Sequence, residues 1–263
     1  MNMTTGFGGK AVLVTGGTKG IGAAIAASFL EHGADVTVCG RNEPAVLPSA
    51  GDREAFFIAA DVRDATAASS LVSEAVSRMG RLDILVNNAG GSPDADAATV
   101  SPRFFEKIVA LNLLAPFYVA QPANQVMQAQ TSGGVIINIG SVSGVDPQPG
   151  TAAYSASKAG LLMLTKALAL EWSPKVRVNH VTVGLIKTEA SAEIYGADGG
   201  AALSAAIPMG RMAVVEDVTN ACLFLAGDQA SYITGADLPV HGGGEFPARY
   251  LITDGGGRRR RGG

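Results

Sequence analysis

The sequence predicts an α/β fold: a single domain in which a parallel sheet is covered by helices on both faces. Two observations predict it. Short runs rich in Val, Ile and Leu alternate with longer segments of helical periodicity. The short runs are apolar at nearly every position, which is typical of strands that are buried on both faces. No linker-like segment divides residues 1–250, so they are expected to form one domain.

The strands and helices follow in order from these patterns. Seven runs predict strands, at 10–16, 35–40, 55–62, 82–90, 134–141, 176–184 and 237–241. Helical segments alternate with them, at 20–33, 65–79, from Ser101 onward, 152–172 and 215–227. Residues 189–211 are rich in Ala and Gly and are expected to form an irregular, mobile substrate lid. The tail 251–263 carries four consecutive arginines among glycines, and we expect it to be disordered and solvated.

Composition excludes several classes of protein. Of 263 residues, 47% are apolar and 16% charged, as in a globular domain with a large core. A formal net charge of −3 gives no reason to expect nucleic acid or an anionic membrane as a partner. There is no run of transmembrane length and no signal-peptide pattern at the start, so a cytoplasmic location is expected.

Cysteine and histidine usage predicts neither a disulfide nor a metal site. Cys39 and Cys222 lie far apart and form no CxxC pair. His32, His180 and His241 do not fall at metal-ligand spacing with carboxylates, so all three are expected to be structural.

A glycine-rich turn joins the first strand to the first helix. Its sequence, TGGTKGIG, spans residues 15–22 and contributes Gly16, Thr18, Lys19, Gly20, Ile21 and Gly22 as candidate ligand contacts. Glycines let the backbone approach a pyrophosphate, and the helix N-terminus offers free N–H groups to it. Taken alone, the turn is equally consistent with an ordinary tight connection.

The end of the second strand bears on which dinucleotide would bind. An acid there accepts from a ribose 2′-hydroxyl, whereas an arginine pairs with a 2′-phosphate. Here Gly40 stands at the expected acid position and Arg41 follows it, with Lys19 a second cation nearby. The sequence therefore favours NADP(H) over NAD(H). The alternative is that both cations belong to the solvated surface.

The stretch AAYSASKAG, residues 152–160, predicts a catalytic pair. Tyr154 and Lys158 are four residues apart and so lie one turn apart on the same helix face. A tyrosine pKa of about 10 is high for proton transfer near neutrality, and a neighbouring ammonium is expected to lower it. Ser141 ends the fifth strand at the edge where ligands bind, so its hydroxyl is expected to polarise a substrate oxygen.

Asn112 is a polar residue in an otherwise apolar helical segment, ALNLLAP. An asparagine inside a helix is unfavourable unless its amide is hydrogen-bonded. The residues alone indicate a buried amide at a local kink near Pro116.

In their order and spacing these motifs resemble those of the short-chain dehydrogenase/reductase family, over about residues 8–244. The resemblance implies a Rossmann-type, doubly wound sheet of seven strands and hydride transfer from a nicotinamide. It implies adenine contacts at Asp61 and Val62, and cofactor-lining and structural roles for the NNAG segment, including Asn88, Ala89 and Gly90. Asn112 would complete a catalytic tetrad with Ser141, Tyr154 and Lys158 and hold a proton-relaying water. A homotetramer or homodimer is also implied.

After the sixth strand the chain departs from the family pattern. Val183 stands where the family commonly has proline, so the turn is expected to be less rigid. Gly184, Ile186 and Thr188 would still hold the nicotinamide carboxamide.

The function expected from these residues is NADP(H)-dependent transfer of hydride between the cofactor and a ketone or secondary alcohol. A 3-oxoacyl-type carbonyl reductase is favoured, and an alcohol or hydroxysteroid dehydrogenase is the enzymatic alternative. A non-catalytic NADP(H)-sensing regulator is a third, although such proteins usually lose the tyrosine or lysine. Ser141, Tyr154 and Tyr195 are expected to contact the substrate, with Ile207 and Met209 as apolar neighbours.

Overall fold

A computed structural model describes residues 6–188 and 200–244. The main sheet has seven parallel strands in the spatial order β5-β2-β1-β6-β7-β8-β9. Its strands are β1 (Ala11–Thr15), β2 (Asp35–Gly40), β5 (Phe56–Ala59), β6 (Ile84–Asn87), β7 (Gly134–Ile139), β8 (Val176–Val183) and β9 (Asp237–Val240). The chain order reverses between β1 and β6, which places a ligand-binding crevice at their carboxyl ends. The predicted doubly wound fold is confirmed.

Seven α-helices occur among the described residues. They are α1 (Gly20–Glu31), α2 (Ala65–Met79), α3 (Pro102–Val109), α4 (Ala115–Ala129), α5 (Ala152–Trp172), α6 (Ala201–Ala206) and α7 (Val215–Ala226). Within residues 6–188 and 200–244, none combines the length and hydropathy needed to cross a membrane.

Apolar layers fill both faces of the sheet. Along β1, Val12 and Val14 face the layer covered by α1 and α7, whereas Leu13 faces the layer covered by α2, α4 and α5. All three are fully buried. Complete burial of a side chain of this size contributes roughly 1.5–3 kcal/mol. Burial on both faces therefore explains why the strand sequences are apolar at consecutive positions.

Two local features differ from the prediction. The helix expected from Ser101 onward is interrupted by a π-helical turn, Ala110–Leu114, between α3 and α4. A small antiparallel hairpin, β3 (Ser49–Ala50) with β4 (Arg53–Glu54), precedes β5 and was not predicted. Each of its strands has two residues, which is too short for a period-two pattern to show.

Both cysteines are buried and unpaired. Burial raises the pKa of the Cys39 thiol to about 11 and that of Cys222 to about 12. The thiolate is therefore disfavoured at both positions.

Candidate active site

A cleft of about 760 Å³ opens at the carboxyl ends of the central strands. It brings together most of the residues that the sequence singles out. Those lining it are Gly16, Thr18, Lys19, Gly20, Ile21, Gly22, Arg41, Asp61, Val62, Asn88, Ala89, Gly90, Ser141, Tyr154, Lys158, Gly184, Ile186 and Thr188. Residues from several strands and loops thus meet at one edge of the sheet, as the parallel topology requires.

The glycine-rich turn is shaped so that backbone can approach a ligand. Gly16 and Gly20 have φ of 60° and 54°, which side chains other than glycine rarely adopt. A Cβ at Gly22 would lie 2.3 Å from the Gly16 carbonyl oxygen. Helix α1 begins after Lys19 with no side-chain cap, so its first N–H groups remain available to an anion. The turn therefore fits a dinucleotide pyrophosphate.

Asn88 fixes this turn to the neighbouring strand. Its Nδ2 donates to the carbonyl oxygens of Thr15 at 3.0 Å and Gly16 at 3.1 Å. The Thr15 hydroxyl in turn accepts from the backbone N–H groups of Asn88 and Ala89. Asn87 is instead buried and donates to the Pro116 carbonyl and to Asn138. The first asparagine of the pair thus serves the core, and the second supports the cleft.

Three cations and one carboxylate lie at the far end of the cleft. Arg41 and Lys19 line it as expected, and Arg63, which the sequence analysis missed, lines it too. Arg63 pairs with Asp61, and this hydrogen bond is the main cause that holds the Asp61 pKa below its usual value. Arg41 lowers it further. Arg63 lies two residues after Asp61, in a loop at a strand end, and this location is the signal that could have identified it.

Tyr154 and Lys158 lie in the first two turns of α5, with Ser141 at the end of β7 opposite them. The Lys158 Nζ donates to the Ile139 carbonyl oxygen at 2.8 Å and lies 5.6 Å from the centroid of the Tyr154 ring. Lys158 is only 4% exposed. The Ser141 side chain lies in the same cleft as the Tyr154 phenol and lowers the phenol's pKa. The three side chains therefore form one connected group.

The expected effect of Lys158 on the tyrosine requires a correction. Burial is the dominant influence on Tyr154 and raises the pKa of its phenol above 10, and the Ser141 side chain offsets this only in part. Burial also lowers the pKa of Lys158, to about 8. The Ser141 side chain favours the phenolate, while the Lys158 ammonium donates to the Ile139 carbonyl, so the net shift of the Tyr154 pKa is upward and not downward as expected.

Asn112 lies in the π turn, fully buried behind the cleft wall. Its Oδ1 accepts from the Gly91 N–H at 2.9 Å, and its Nδ2 donates to the carbonyl oxygens of Gly91 and Ile108. A Cβ at Gly90 would lie 2.8 Å from the Asn112 Oδ1 and 3.3 Å from the Lys158 Nζ. The amide thus clamps the loop after β6 and lies beside the lysine. The π turn is the kink that the sequence indicated near Pro116, and such turns frequently occur at functional sites.

The turn that lacks the usual proline is held by hydrogen bonds. Gly184 N–H donates to the Val240 carbonyl at 3.0 Å, and Ile186 forms a bridge with Ala213. A Cβ at Gly184 would lie 2.7 Å from the Cβ of His241. These contacts hold the segment that follows Val183, and the lower rigidity expected from Val183 stays a prediction.

The substrate side is only partly described. Tyr195 and residues 189–199 of the expected lid lie outside the described residues. Helix α6 begins the described remainder of that segment, at Ala201. Ile207 is buried against Gly242, whereas Met209 is 67% exposed, and neither lines the cleft. The expectation that these two side chains contact the substrate in the cleft is therefore not supported.

The described histidines occupy structural positions. His32 bonds the Ser28 carbonyl, His180 pairs with Asp237, and His241 accepts from the Gly243 N–H. Over residues 6–188 and 200–244, no group of three or more His, Cys, Asp or Glu side chains is arranged to hold a metal ion.

The buried ammonium predicts a pH-dependent stability. Lys158 has a pKa of about 8 in the folded chain and 10.5 ordinarily, so between these values the unfolded chain binds more protons and stability rises with pH. The free energy of unfolding should increase relative to that of Lys158→Met by up to about 3 kcal/mol over this window. Urea titrations of both proteins from pH 7 to 10 measure the difference. If the difference in unfolding free energy between the two proteins did not change with pH, the lowered pKa of Lys158 would be wrong. The control is Lys166→Met, on the exposed side of α5.

Comparison with known proteins agrees with this geometry. A family model described as Enoyl-(Acyl carrier protein) reductase matches residues 16–245. A 3alpha-hydroxysteroid dehydrogenase of Mediterraneibacter gnavus is 38% identical over 89% of this chain and 96% of its own length. A 3-oxoacyl-(acyl-carrier-protein) reductase of Rickettsia felis is 39% identical over 89% of this chain and 96% of its own. The crystal structure of a short-chain type dehydrogenase/reductase from Mycobacterium marinum superposes with a TM-score of 0.85, at 34% identity over 93% of this chain and 98% of that one. The chain therefore belongs to the short-chain dehydrogenase/reductase family of oxidoreductases.

Proposed function

We propose that this protein is an NADP(H)-dependent oxidoreductase that interconverts a ketone and a secondary alcohol, with reduction of a carbonyl compound as its main direction. One observation carries the proposal. The connected group of Ser141, Tyr154 and Lys158 lies in the same cleft as the glycine-rich turn. A proton donor and a dinucleotide site are thus adjacent, as hydride transfer requires.

The bound nicotinamide would supply the hydride to the carbonyl carbon. Tyr154 would donate its phenolic proton to the carbonyl oxygen as the alcohol forms, so that the product carries one hydride and one proton. Ser141 would donate a hydrogen bond to the same oxygen and hold it near the phenol. Lys158 would hold ribose hydroxyls and, through Asn112 and water, return a proton to Tyr154. The raised pKa of Tyr154 keeps the phenol protonated near neutrality, so the proton is present for transfer, and it also makes the phenol a weaker acid than one whose pKa lies near the working pH.

The cofactor preference follows from the charges at the far end of the cleft. Lys19, Arg41 and Arg63 oppose the single carboxylate of Asp61, which leaves an excess of positive charge for a 2′-phosphate. Moreover, a side chain at Gly40 would meet Thr18 at 3.1 Å, so an acid there would require a shift of Thr18.

Arg41→Ala is therefore expected to raise KM for NADPH by about 10–100-fold and KM for NADH far less, since a charge-assisted hydrogen bond contributes about 1.5–3 kcal/mol. Initial rates with each cofactor measure the difference. Arg103→Ala, an exposed arginine on α3, is the control and should alter neither value. Equal effects of Arg41→Ala on both cofactors would contradict the NADP(H) assignment.

The loops at the substrate side bear on the class of substrate. They leave the cleft after Gly91 and after Ser141 and expose the carboxylates of Asp94, Asp96 and Asp146. The two loops are joined by the Ala95 N–H, which donates to the Gly150 carbonyl at 3.0 Å. Negative charge here disfavours an anionic thioester carrier and favours a neutral alcohol or ketone. The relative named for a hydroxysteroid supports the oxidative alternative.

Assay of NADPH oxidation over a panel of carbonyl compounds tests the proposal. The panel contains acetoacetyl thioesters, steroid ketones, cyclic ketones and sugar-derived ketones, and the matching alcohols are offered with NADP⁺. Acetoacetyl-coenzyme A and the neutral acetoacetyl-N-acetylcysteamine thioester form a matched pair that isolates the effect of carrier charge. Absence of turnover in both directions would favour the regulator alternative.

The proposal includes assembly in the cytoplasm as a homodimer or homotetramer. Met163 and Leu170 are seven residues apart on α5 and are 64% and 84% exposed. Apolar side chains this exposed on one helix face favour a partner helix. Sedimentation equilibrium of the purified protein measures the state of assembly, and a monomer at all concentrations would contradict it.

A further inference from the structure

His180 of β8 is a buried imidazole that does not line the cleft. Its side chain is 2% exposed, and its Nδ1 donates to the Asp237 Oδ1 of β9 at 2.8 Å. The Thr182 hydroxyl donates to the same carboxylate oxygen at 2.7 Å. The Nε2 of the ring has no partner among the described residues. The ring is therefore tethered at one edge, and its other edge is turned toward protein.

That other edge occupies the space beside Gly140. A Cβ at Gly140 would lie 2.0 Å from the His180 Cε1 and 2.1 Å from its Nε2. The imidazole thus takes the volume that a side chain at position 140 would fill. Because the carboxylate of Asp237 fixes the ring, the ring in turn limits where the backbone of Gly140 can lie.

Gly140 separates the two residues that anchor the catalytic pair. On one side, the Ile139 carbonyl oxygen accepts from the Lys158 Nζ at 2.8 Å. On the other, the Ser141 side chain lines the cleft together with Tyr154 and lowers the pKa of its phenol. Both contacts depend on the position of this short length of backbone, which continues past the last residue of β7.

We propose that His180 is a positioning residue for the reaction: held by Asp237, it supports Gly140 and so sets the strand end that orients Ser141 and Lys158. This role rests on the proposed function of that site.

The charges around the His180 ring favour its neutral form. Burial lowers the pKa of His180, and Lys158 and Lys166 of α5 lower it further, whereas Asp237 of β9 opposes them. A neutral imidazole donates through Nδ1 to Asp237 and places no second positive charge near Lys158. The neutral ring therefore fills the space beside Gly140 without repelling the Lys158 ammonium.

The test is a size-compensating exchange. Gly140→Ala should lower kcat by about 10-fold or more, because a methyl group has no space beside the tethered ring, and small misplacements of reacting groups are costly. His180→Ala should also lower kcat. The double variant should recover activity relative to Gly140→Ala, by about 10-fold, because the methyl group then enters the volume that the ring has left.

Several measurements distinguish a positioning role of His180 from a purely structural one. Kinetics are measured well below the unfolding temperature, together with KM for the carbonyl compound and Kd for NADPH. The control is Val178→Ala, on the same face of β8 two residues earlier, which should lower Tm but leave kcat unchanged. A fall in kcat with nearly constant NADPH affinity, reversed in the double variant, supports the proposal.

Two results would overturn it. One is an unchanged kcat in both single variants, and the other is a double variant no more active than Gly140→Ala. If Gly140→Ala fails to fold, His180→Ala compared with Val178→Ala decides, and equal kcat values overturn the proposal. A wild-type protein inactive on the whole panel would instead refute the proposed function, and this role with it.

Discussion

Tyr154→Phe is expected to reduce carbonyl turnover by about 10²–10⁴-fold, the usual contribution of a positioned acid or base. Phenylalanine keeps the ring that lies 5.6 Å from the Lys158 Nζ and removes the hydroxyl that carries the phenolic proton. NADPH affinity should stay within about threefold of the wild type, since the ring's volume is retained. Fluorescence titration with NADPH and a rate assay with the best carbonyl substrate measure the two quantities separately.

Tyr118→Phe is the matched control. Tyr118 lies on α4, packs against the apolar layer under α2 and is remote from the connected group. Loss of its hydroxyl should leave turnover unchanged. If Tyr154→Phe retained full turnover, the proton would have to come from another group, and the proposed mechanism would be wrong.

Gly22→Ala is expected to have the second large effect, on cofactor binding. The added methyl would lie 2.3 Å from the Gly16 oxygen and 2.4 Å from the Asn88 Nδ2, and these two atoms are themselves hydrogen-bonded. The turn must therefore move apart from the strand that supports it. Overpacking of this kind costs roughly 1–3 kcal/mol, which would weaken NADPH binding by about 10–100-fold and lower Tm.

The control for Gly22→Ala is Gly8→Ala, where an added methyl meets nothing within 4 Å and the residue is far from the cleft. Fluorescence titration of both variants with NADPH measures the affinity. Unaltered affinity in Gly22→Ala would mean that the turn does not hold the cofactor.

Much of the fold follows from the sequence because its signals are local. The helices predicted at 65–79 and 152–172 have those bounds in the structure. The sheet strands follow from apolar runs that are buried on both faces. The sequence indicated a kink near Pro116 but not that it is a π turn, in which the Asn112 amide bonds Gly91, a residue 21 positions away.

The candidate site is predictable to a similar degree. Motif spacing identified most of the residues that the topology brings into one cleft, but it missed Arg63 and several apolar or glycine positions of the lining, such as Leu111 and Gly140. Their electrostatics were not predictable, since the pKa of Tyr154 depends on burial, which spacing does not reveal. His180 and Asp237 are 57 residues apart along the chain, so their pairing likewise required the alignment of β8 with β9.

The two buried thiols have a practical consequence for spectroscopy. Cys39 borders the cleft but is only 1% exposed, and its raised pKa disfavours the nucleophilic thiolate, as it does at Cys222. Maleimide dyes should therefore leave the native cysteines unmodified. A single cysteine introduced at Val145, which is 56% exposed beside the substrate side, would then accept a fluorophore without a cysteine-free background. The wild-type chain is thus already suited to labelling at one chosen position for ligand-binding measurements by fluorescence.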